Sequence, residues 1–558
     1  MKPYLILVLF VCSITKINAQ SYNKLADSAL HLMWEAKDTT DYRNALNVYE
    51  KAFKLYPNSI DKTGLYKAAV ISAELKELDK SFEFLEKLLS INSDLNTTWS
   101  SLTSRYSTSE YKNLLVDKRW TLIAGKAQSM KDIFFKKLKD NQFEFETGRF
   151  KTLTFPKAKT GAEVYQMIKS FNDFKSKKQR NYSIKFKVTD SLSTSYFVSL
   201  PANYNPKKSY AIMFFLHGAV QINALAEYQN ESILGDWNRF YTKYAALNQV
   251  IMVYPKGSKK YNWMAPDDGF FMIPEMLKEI KQSINIDDDK VFITGHSNGA
   301  TGSFSYLMKQ QNPFAGFYGF NTQPKIRTGG TFIKNVLNRS YFNVSTNADY
   351  YYPPDANDSL NVIMTDLKAD YQDHRYIGWP HWFPQFDESE PVYPMIFRDL
   401  AGRKRNAFQP TIYWECDDVK YGKADWIQIN QLDTVTKRSD WHRNINFDIL
   451  KLVNYDQKND KITATDTLLK AFNFPRKSGA IKGNYKNNLF NIETSDVKSL
   501  SIFISPEMVD VNKPVVVFVN GVKKIERKPI YNKELIINNF EKTYDRKVVW
   551  IDKFDIQL

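Results

Sequence analysis

Apolar and polar positions change rhythm twice along this chain. Residues 21 to about 140 read as helical: in the segment Asp41 to Pro57, Ala45, Tyr49, Ala52 and Pro57 stand at offsets of four, three and five, close to the turn of a helix with one buried face. From Asn181 the period becomes two. Ser183 to Val188 alternates apolar and polar, Thr194 to Leu200 repeats the pattern, and Pro201 to Pro206 breaks it as a turn. Three uninterrupted apolar runs follow, Ala211 to Leu216, Val250 to Tyr254 and Val291 to Ile293, separated by helix-period stretches such as Ile273 to Ile284. Phe314 to Phe320 and Tyr341 to Val344 read as two further strands. A strand apolar at every position is covered on both faces, so such runs alternating with helices predict a mostly parallel, doubly wound sheet.

Beyond Arg405 the pattern is strand-rich again. Thr411 to Glu415, Trp426 to Leu432, Leu500 to Ile504, Leu535 to Ile537 and Val548 to Ile551 are strand candidates. Pro514 to Val519 and Val522 to Glu526 flank Asn520-Gly521, a hairpin signal because both residues tolerate positive φ. A C-terminal β-sandwich-like domain is expected, read as a structural module because no aromatic residues are arranged for carbohydrate.

The helical front has a finer pattern. Its Asp41 to Pro57 segment is similar to the second helix of a tetratricopeptide repeat, and a poorer copy places Ser81, Leu85 and Leu88 at matching offsets behind Gly64 and Ala68. The spacing is near the roughly 34-residue period of that family. So short an array offers little concave surface, so a helical cap is favoured over a peptide-binding groove. A protein partner through these helices stays open.

At 558 residues the chain is too long for one core. The expected organisation is a signal peptide (1–19), a tetratricopeptide-like helical domain (20–140), a connector (141–180), an α/β catalytic domain (181–405) and a β-rich domain (406–558). Lys2, the apolar stretch Tyr4 to Ile14 and Ile17-Asn18-Ala19 carry the signal, which predicts export to the periplasm or the extracellular space. No segment reaches the ~20 apolar residues of a membrane span. Of the two cysteines only Cys416 lies beyond the signal, so packed cores rather than a disulfide must stabilise the chain. The net charge of +16 is dispersed and matches no nucleic-acid docking motif, so nucleic acid is not an expected partner. Arg403-Lys404-Arg405 reads as a solvated loop.

The chemistry concentrates at Gly295-His296-Ser297-Asn298-Gly299. It follows the strand Val291 to Ile293 and precedes a helix ending near Gln311. A serine on so tight a strand-to-helix turn needs small residues two places either side, which Gly295 and Gly299 supply. Ser297 is therefore the candidate nucleophile. Of the six histidines, His31 lies in the helical front, His217 and His296 sit in glycine-flanked turns, and His442 falls in the β-rich region. In hydrolases of this topology the base follows the nucleophile, which leaves His374 and His381. His381 is chosen as base for its proline- and aromatic-flanked loop, Gly378 to Pro384. Asp349, ending the strand from Tyr341, is the candidate acid. Backbone N–H groups of Asn298 and Ala219 are the expected oxyanion donors. Trp263, Trp379 and Trp382 either shape a substrate pocket or fill core. Metal chemistry is not expected: no histidine pair has ligand spacing, and Asp287-Asp288-Asp289 lacks the glycine and terminal acid of a calcium loop.

The ordered set Phe215-Leu216-His217-Gly218, Tyr254-Pro255-Lys256-Gly257, Asp288 to Ser297, Pro313-Phe314-Ala315, Asp349 and His381 resembles α/β-hydrolase esterases, in particular secreted feruloyl-esterase and polyhydroxybutyrate-depolymerase-like enzymes. The resemblance covers about Asn181 to Arg405. It implies a Ser297–Asp349–His381 triad, no cofactor and a small-molecule or carbohydrate ester as substrate. This chain departs from many relatives in having Ala219-Val220 in place of further glycines and Asn298 in place of a larger apolar residue. A serine peptidase with the same triad, or an inactive hydrolase-fold binding protein, are the rival expectations.

Overall fold

The computed structural model describes residues 22–558 apart from 92–96, 105, 148–154, 156–157, 266–267, 457–458 and 460. The expected signal peptide lies outside the described residues. Two compact units divide at Asp140/Asn141.

The first unit is helical: α1 (22–35), α2 (Thr39–Leu55), α3 (Lys62–Glu74), α4 (Leu78–Ser90), the short α5 (Ser100–Thr103) and α6 (Ser107–Glu110), and the start of α7 (Lys118–Glu146). Asp38 caps α2 by accepting from the N–H groups of Thr40 and Asp41. Ala45, Tyr49 and Ala52 of α2, Gly64 and Ala68 of α3, and Ser81, Leu85 and Leu88 of α4 are buried. The small residues let neighbouring helices approach closely: a Cβ on Gly64 would meet the Tyr22 hydroxyl at 2.4 Å.

In the second unit, α8 (Gly161–Ser170) precedes an eight-stranded sheet: β1 (Asn181–Lys187), β2 (Ser193–Ser199), β3 (Tyr210–Leu216), β4 (Ile251–Pro255), β5 (Ile286–Gly295), β6 (Gly316–Phe320), β7 (Ser340–Ala348) and β8 (Tyr371–Pro380). Their order is β1-β2-β4-β3-β5-β6-β7-β8. β1–β2 and β2–β4 are antiparallel and the other pairs parallel. The helices are α9 (Arg239–Asn248), α10 (Met272–Ser283), α11 (Asn298–Lys309), α12 (Pro354–Asp366) and α13 (Val392–Gly402). β3 explains the apolar runs. Ile212, Phe214 and Leu216 join one core with residues of α10, α11 and α12. Met213 and Phe215 join the other core with α9 and α13. Both faces are covered, so no position can be polar. The chain runs from β3 to β4 on one side and then to β5 on the other. That reversal opens a crevice at the strands' carboxyl ends, where ligands bind in sheets of this kind.

The C-terminal strands are β9 (Thr411–Cys416), β10 (Lys423–Ala424), β11 (Ile427–Leu432), β12 (Asp448–Asp456), β13 (Lys461–Lys470), β14 (Gly479–Lys486), β15 (Leu489–Ser495), β16 (Val497–Ile504), β17 (Val515–Val519), β18 (Val522–Arg527) and β19 (Asp552–Gln557). They form a five-stranded sheet, a four-stranded sheet and the β12–β13 hairpin. The two larger sheets share one core built on Trp414, Trp426, Phe490 and Ile502. Asn520 (φ 49°) and Gly521 (φ 79°) turn the β17–β18 hairpin.

Three local readings are corrected, and the connector gains detail. Leu535 to Ile537 lies in α14 (Lys533–Thr543), started by Asn532, whose side chain accepts from the Leu535 N–H. Val548 to Ile551 is not a strand, and β19 begins only at Asp552. The connector holds α8, whose Thr160 and Glu163 form a capping box, and which shares a small core with α14. Arg403 to Arg405 is a loop of which only Lys404 is solvated. Arg405 is 5% exposed, with Nη1 at 2.7 Å from Asp545 Oδ2 and Nη2 at 3.1 Å from Asp289 Oδ1. Lys281 adds contacts to Asp288 at 2.8 Å and Asp545 at 3.4 Å.

This ion cluster joins the helix-flanked sheet to the C-terminal region. Burial alone would raise the Asp545 carboxyl, but Arg405 and Lys281 outweigh it and hold it well below the usual carboxylate range. The stabilisation is therefore intact above the unfolded carboxyl's pKa of about 4 and is lost as pH falls below it. Arg405→Met is expected to cost about 3–5 kcal/mol by leaving Asp545 without its main partner. Urea unfolding at pH 7 measures that cost, and a cost under about 1 kcal/mol would show that Lys281 alone suffices.

Candidate active site

The crossing of β5 into α11 forces the geometry at Ser297. Gly299 lies so close to β3 that a Cβ there would stand 1.8 Å from the Leu216 carbonyl oxygen, and one on Gly295 would stand 2.4 Å from the Gly299 carbonyl carbon. Between them Ser297 adopts φ 57°, ψ −119°, a sparsely populated region costing about 1–3 kcal/mol. The Ser297 N–H donates to the Phe320 carbonyl at 3.0 Å, tying the turn to the end of β6.

His381 follows β8, and Asp349 follows β7. Their side chains meet: His381 Nδ1 lies 2.7 Å from Asp349 Oδ1. That oxygen also accepts the Tyr351 N–H at 2.8 Å. A carboxylate can only accept, so Nδ1 carries the proton and Nε2 keeps its lone pair. Asp349 is 2% exposed and His381 5%. The His381 carbonyl accepts from His296 Nε2 and from Asn321 Nδ2, each at 2.7 Å. Burial, then the neighbouring His381, pushes the His296 imidazole down to about 3, so at neutral pH it is an uncharged clamp.

Ser297 and His381 line one cavity of about 940 Å³, together with Ala219, Asn298, Tyr350, Tyr351 and Trp382. The Asn298 N–H opens α11, where N–H groups lack intrahelical acceptors. Ala219 turns through φ 51°, ψ 37°. The Asn298 side chain couples the two loops: its Oδ1 accepts the Val220 N–H at 3.1 Å, and its Nδ2 donates to the Tyr351 hydroxyl at 2.7 Å. A larger apolar residue at 298 would lose both bonds. His217 braces the same loop. Its Nε2 accepts the Gly257 N–H at 3.1 Å and Nδ1 lies 2.7 Å from the Gly218 carbonyl. Burial foremost, with the Lys256 cation adding to it, pushes this imidazole down to about 4.

Of the three tryptophans, only Trp382 lines the cavity. Trp263 is fully buried, edge-on to His217 at 4.7 Å, and a Cβ on Gly302 would meet its ring at 2.3 Å. It is core supporting the loop. Trp379 packs on Phe383 and Phe386, each at 5.3 Å, away from the cavity lining. His374 stacks on Phe342 at 4.3 Å, and His442 is buried against Glu415 at 2.9 Å; neither lines the cavity. Sequence reasoning missed Trp237, whose ring packs tilted on His296 at 5.1 Å, and Tyr455 of β12, which packs on Tyr350 at 5.8 Å and Trp382 at 5.2 Å. In Asp448 to Asp456 the apolar residues fall in adjacent pairs, Ile449-Leu450 and Leu452-Val453, so no period-two signal marked that hairpin. Among the described residues no cluster of three or more His, Cys, Asp or Glu is placed to hold a metal ion. Among them, too, no helix is long and apolar enough to cross a membrane.

No family model matches the chain, and no curated protein does. Among solved structures it is similar to a thermostable esterase (18% identity, TM-score 0.34), covering 40% of this chain and 64% of that one. It thus spans less than two-thirds of that esterase. A ferulic acid esterase gives 19% identity and TM-score 0.32, covering 39% of this chain and 96% of the other. Dipeptidyl peptidase 4 of Porphyromonas gingivalis gives 13% and 0.32, covering 40% and 35%. At these scores any functional reading rests on the site's own geometry.

Proposed function

We propose that this chain is a serine hydrolase of the α/β-hydrolase type that cleaves carboxylic esters through an acyl-enzyme. The observation that carries the reading is Ser297, at φ 57°, facing the same cavity as an imidazole bonded to a buried carboxylate. Ser297 Oγ attacks the ester carbonyl while His381 Nε2 takes its proton. Asp349 holds the imidazole's tautomer and stabilises the imidazolium, without itself becoming protonated. The N–H groups of Asn298 and Ala219 receive the charge on the carbonyl oxygen. His381 then protonates the leaving alkoxide and activates water against the acyl-enzyme. Every step uses side chains and backbone of this chain, so the reading requires no cofactor.

The same reading assigns residues 181–405 to the catalytic domain, residues 20–140 to a tetratricopeptide-like helical domain, and residues 406–558 to a β-sandwich-like module. A fluorophosphonate probe is expected to label Ser297 stoichiometrically, located by peptide mapping, with 4-nitrophenyl butyrate turned over faster than an aminoacyl 4-nitroanilide. An unlabelled Ser297 in folded protein would leave a binding protein. Faster amide cleavage would make it a peptidase.

A further inference from the structure

A cation with no counter-ion among the described residues stands in the wall of the Ser297 cavity. Lys256 directly follows β4 and lines that cavity. Its Nζ donates to the Asn223 side-chain oxygen at 2.5 Å and forms no ion pair among the described residues. An ammonium has three donors, so two remain for what enters the cavity. Burial lowers its pKa below the ordinary lysine value, because lost water has not been replaced by a carboxylate. Lys256 is half-buried, and among the described residues it shares the lack of an ion pair with Lys325, Lys334 and Lys423, each also lowered by burial, but it alone of the four lines this cavity. The fully buried cations of this unit are treated differently. Lys281, Lys309, Arg339 and Arg405 hold carboxylates of Asp288, Asp417, Asp425 and Asp545 at 2.6–2.8 Å. Asp236, the other side chain bearing a formal charge in the lining, is solvent-exposed.

Lys256 is tethered to the Ala219 side of the cavity. Asn223, which takes its hydrogen bond, donates in turn to the Ala219 carbonyl at 2.9 Å, and the next residue, Gly257, is bonded to His217. Aromatic rings of Trp237, Tyr350, Tyr351 and Trp382 line the same space. We propose that Lys256 is a specificity residue that binds a carboxylate on the substrate, so that the preferred substrates are anionic esters. The inference rests on Ser297 being the nucleophile. A substrate carboxylate would receive the two remaining N–H bonds as charge-assisted contacts. A neutral ester would displace water from the ammonium and leave its two remaining N–H groups without an acceptor, and would be discriminated against for that reason.

The test compares matched esters differing in charge. The pair 4-acetoxybenzoate and 4-acetoxybenzamide carries the difference on the leaving group. Phenyl hydrogen adipate and phenyl hexanoate carry it on the acyl chain. In the wild-type protein kcat/KM is expected to favour the anion of at least one pair by about tenfold or more. Lys256→Met should abolish that preference mainly through KM, and Lys256→Arg should retain it. Absence of any preference in the wild type, or its survival in Lys256→Met, overturns the proposal. So does an equal fall for both members of a pair, which would make the lysine a support for the Ala219 loop. Binding is read separately in Ser297→Ala protein, by tryptophan fluorescence with benzoate and benzamide. Benzoate should bind about tenfold or more tighter than benzamide and lose that advantage when Lys256→Met is added; equal binding overturns the proposal. Should no ester be cleaved, the esterase reading fails while this binding measurement still decides the role of Lys256.

Discussion

Ser297→Ala is expected to lower kcat for 4-nitrophenyl butyrate by about 10⁵–10⁶-fold. The loss removes the nucleophile of a set of residues that act as a unit. A residual rate above water should persist, because the Asn298 and Ala219 N–H groups and the cavity still orient an ester for attack by water. Stability should barely move. Alanine keeps the Cβ, so the backbone cost of φ 57° at residue 297 is unchanged, and the Ser297 N–H still donates to Phe320. The thermal midpoint should therefore stay within a few degrees of the wild type. Turnover within tenfold of wild type would exclude Ser297 as nucleophile, whatever else the cavity does.

Gly299→Ala is expected to damage both stability and activity. The added Cβ would stand 1.8 Å from the Leu216 carbonyl oxygen and 2.5 Å from its carbon. The obstacle is backbone at the carboxyl end of the central strand β3, so no side-chain rotation relieves it. α11 would have to move away from β3, at about 3 kcal/mol or more. That movement would carry the Asn298 N–H away from Ala219, so kcat should fall even in the folded fraction. Gly402→Ala is the control. Nothing lies within 4 Å of its added Cβ, and a stability change within about 1 kcal/mol is expected. If urea midpoints of the two variants coincide, the crowding argument for the Ser297 turn is wrong.

The legibility of this chain follows the range of the interactions concerned. Ser297 could be read locally, because a strand, two glycines and a helix within a few residues impose the turn. The hairpin at Asn520-Gly521 was legible for the same reason. Trp263 was ambiguous from sequence, since an aromatic residue near a predicted strand end suits a pocket or a core equally. Gly302, far along the chain, closes around it together with the nearby Gly257 and settles the matter. Arg405 looked like part of a solvated basic run, because its partners Asp289 and Asp545 lie far off along the chain. Leu535 to Ile537 has the composition of a strand, but the Asn532 cap and the packing against α8 draw it into a helix.

From its residues alone, then, this chain specifies period, turn and nucleophile: apolar runs that demand covered strands, and glycines that demand a crowded elbow. Those are matters of neighbouring residues and their backbone sterics. The meeting of His381 with Asp349, the clamp of His296 and Asn321 behind it, and the placing of the Lys256 ammonium in the cavity wall were decided only in three dimensions. They depend on which strands lie side by side at the sheet's carboxyl edge, and strand order is set by long-range burial, to which a window of neighbouring residues is blind.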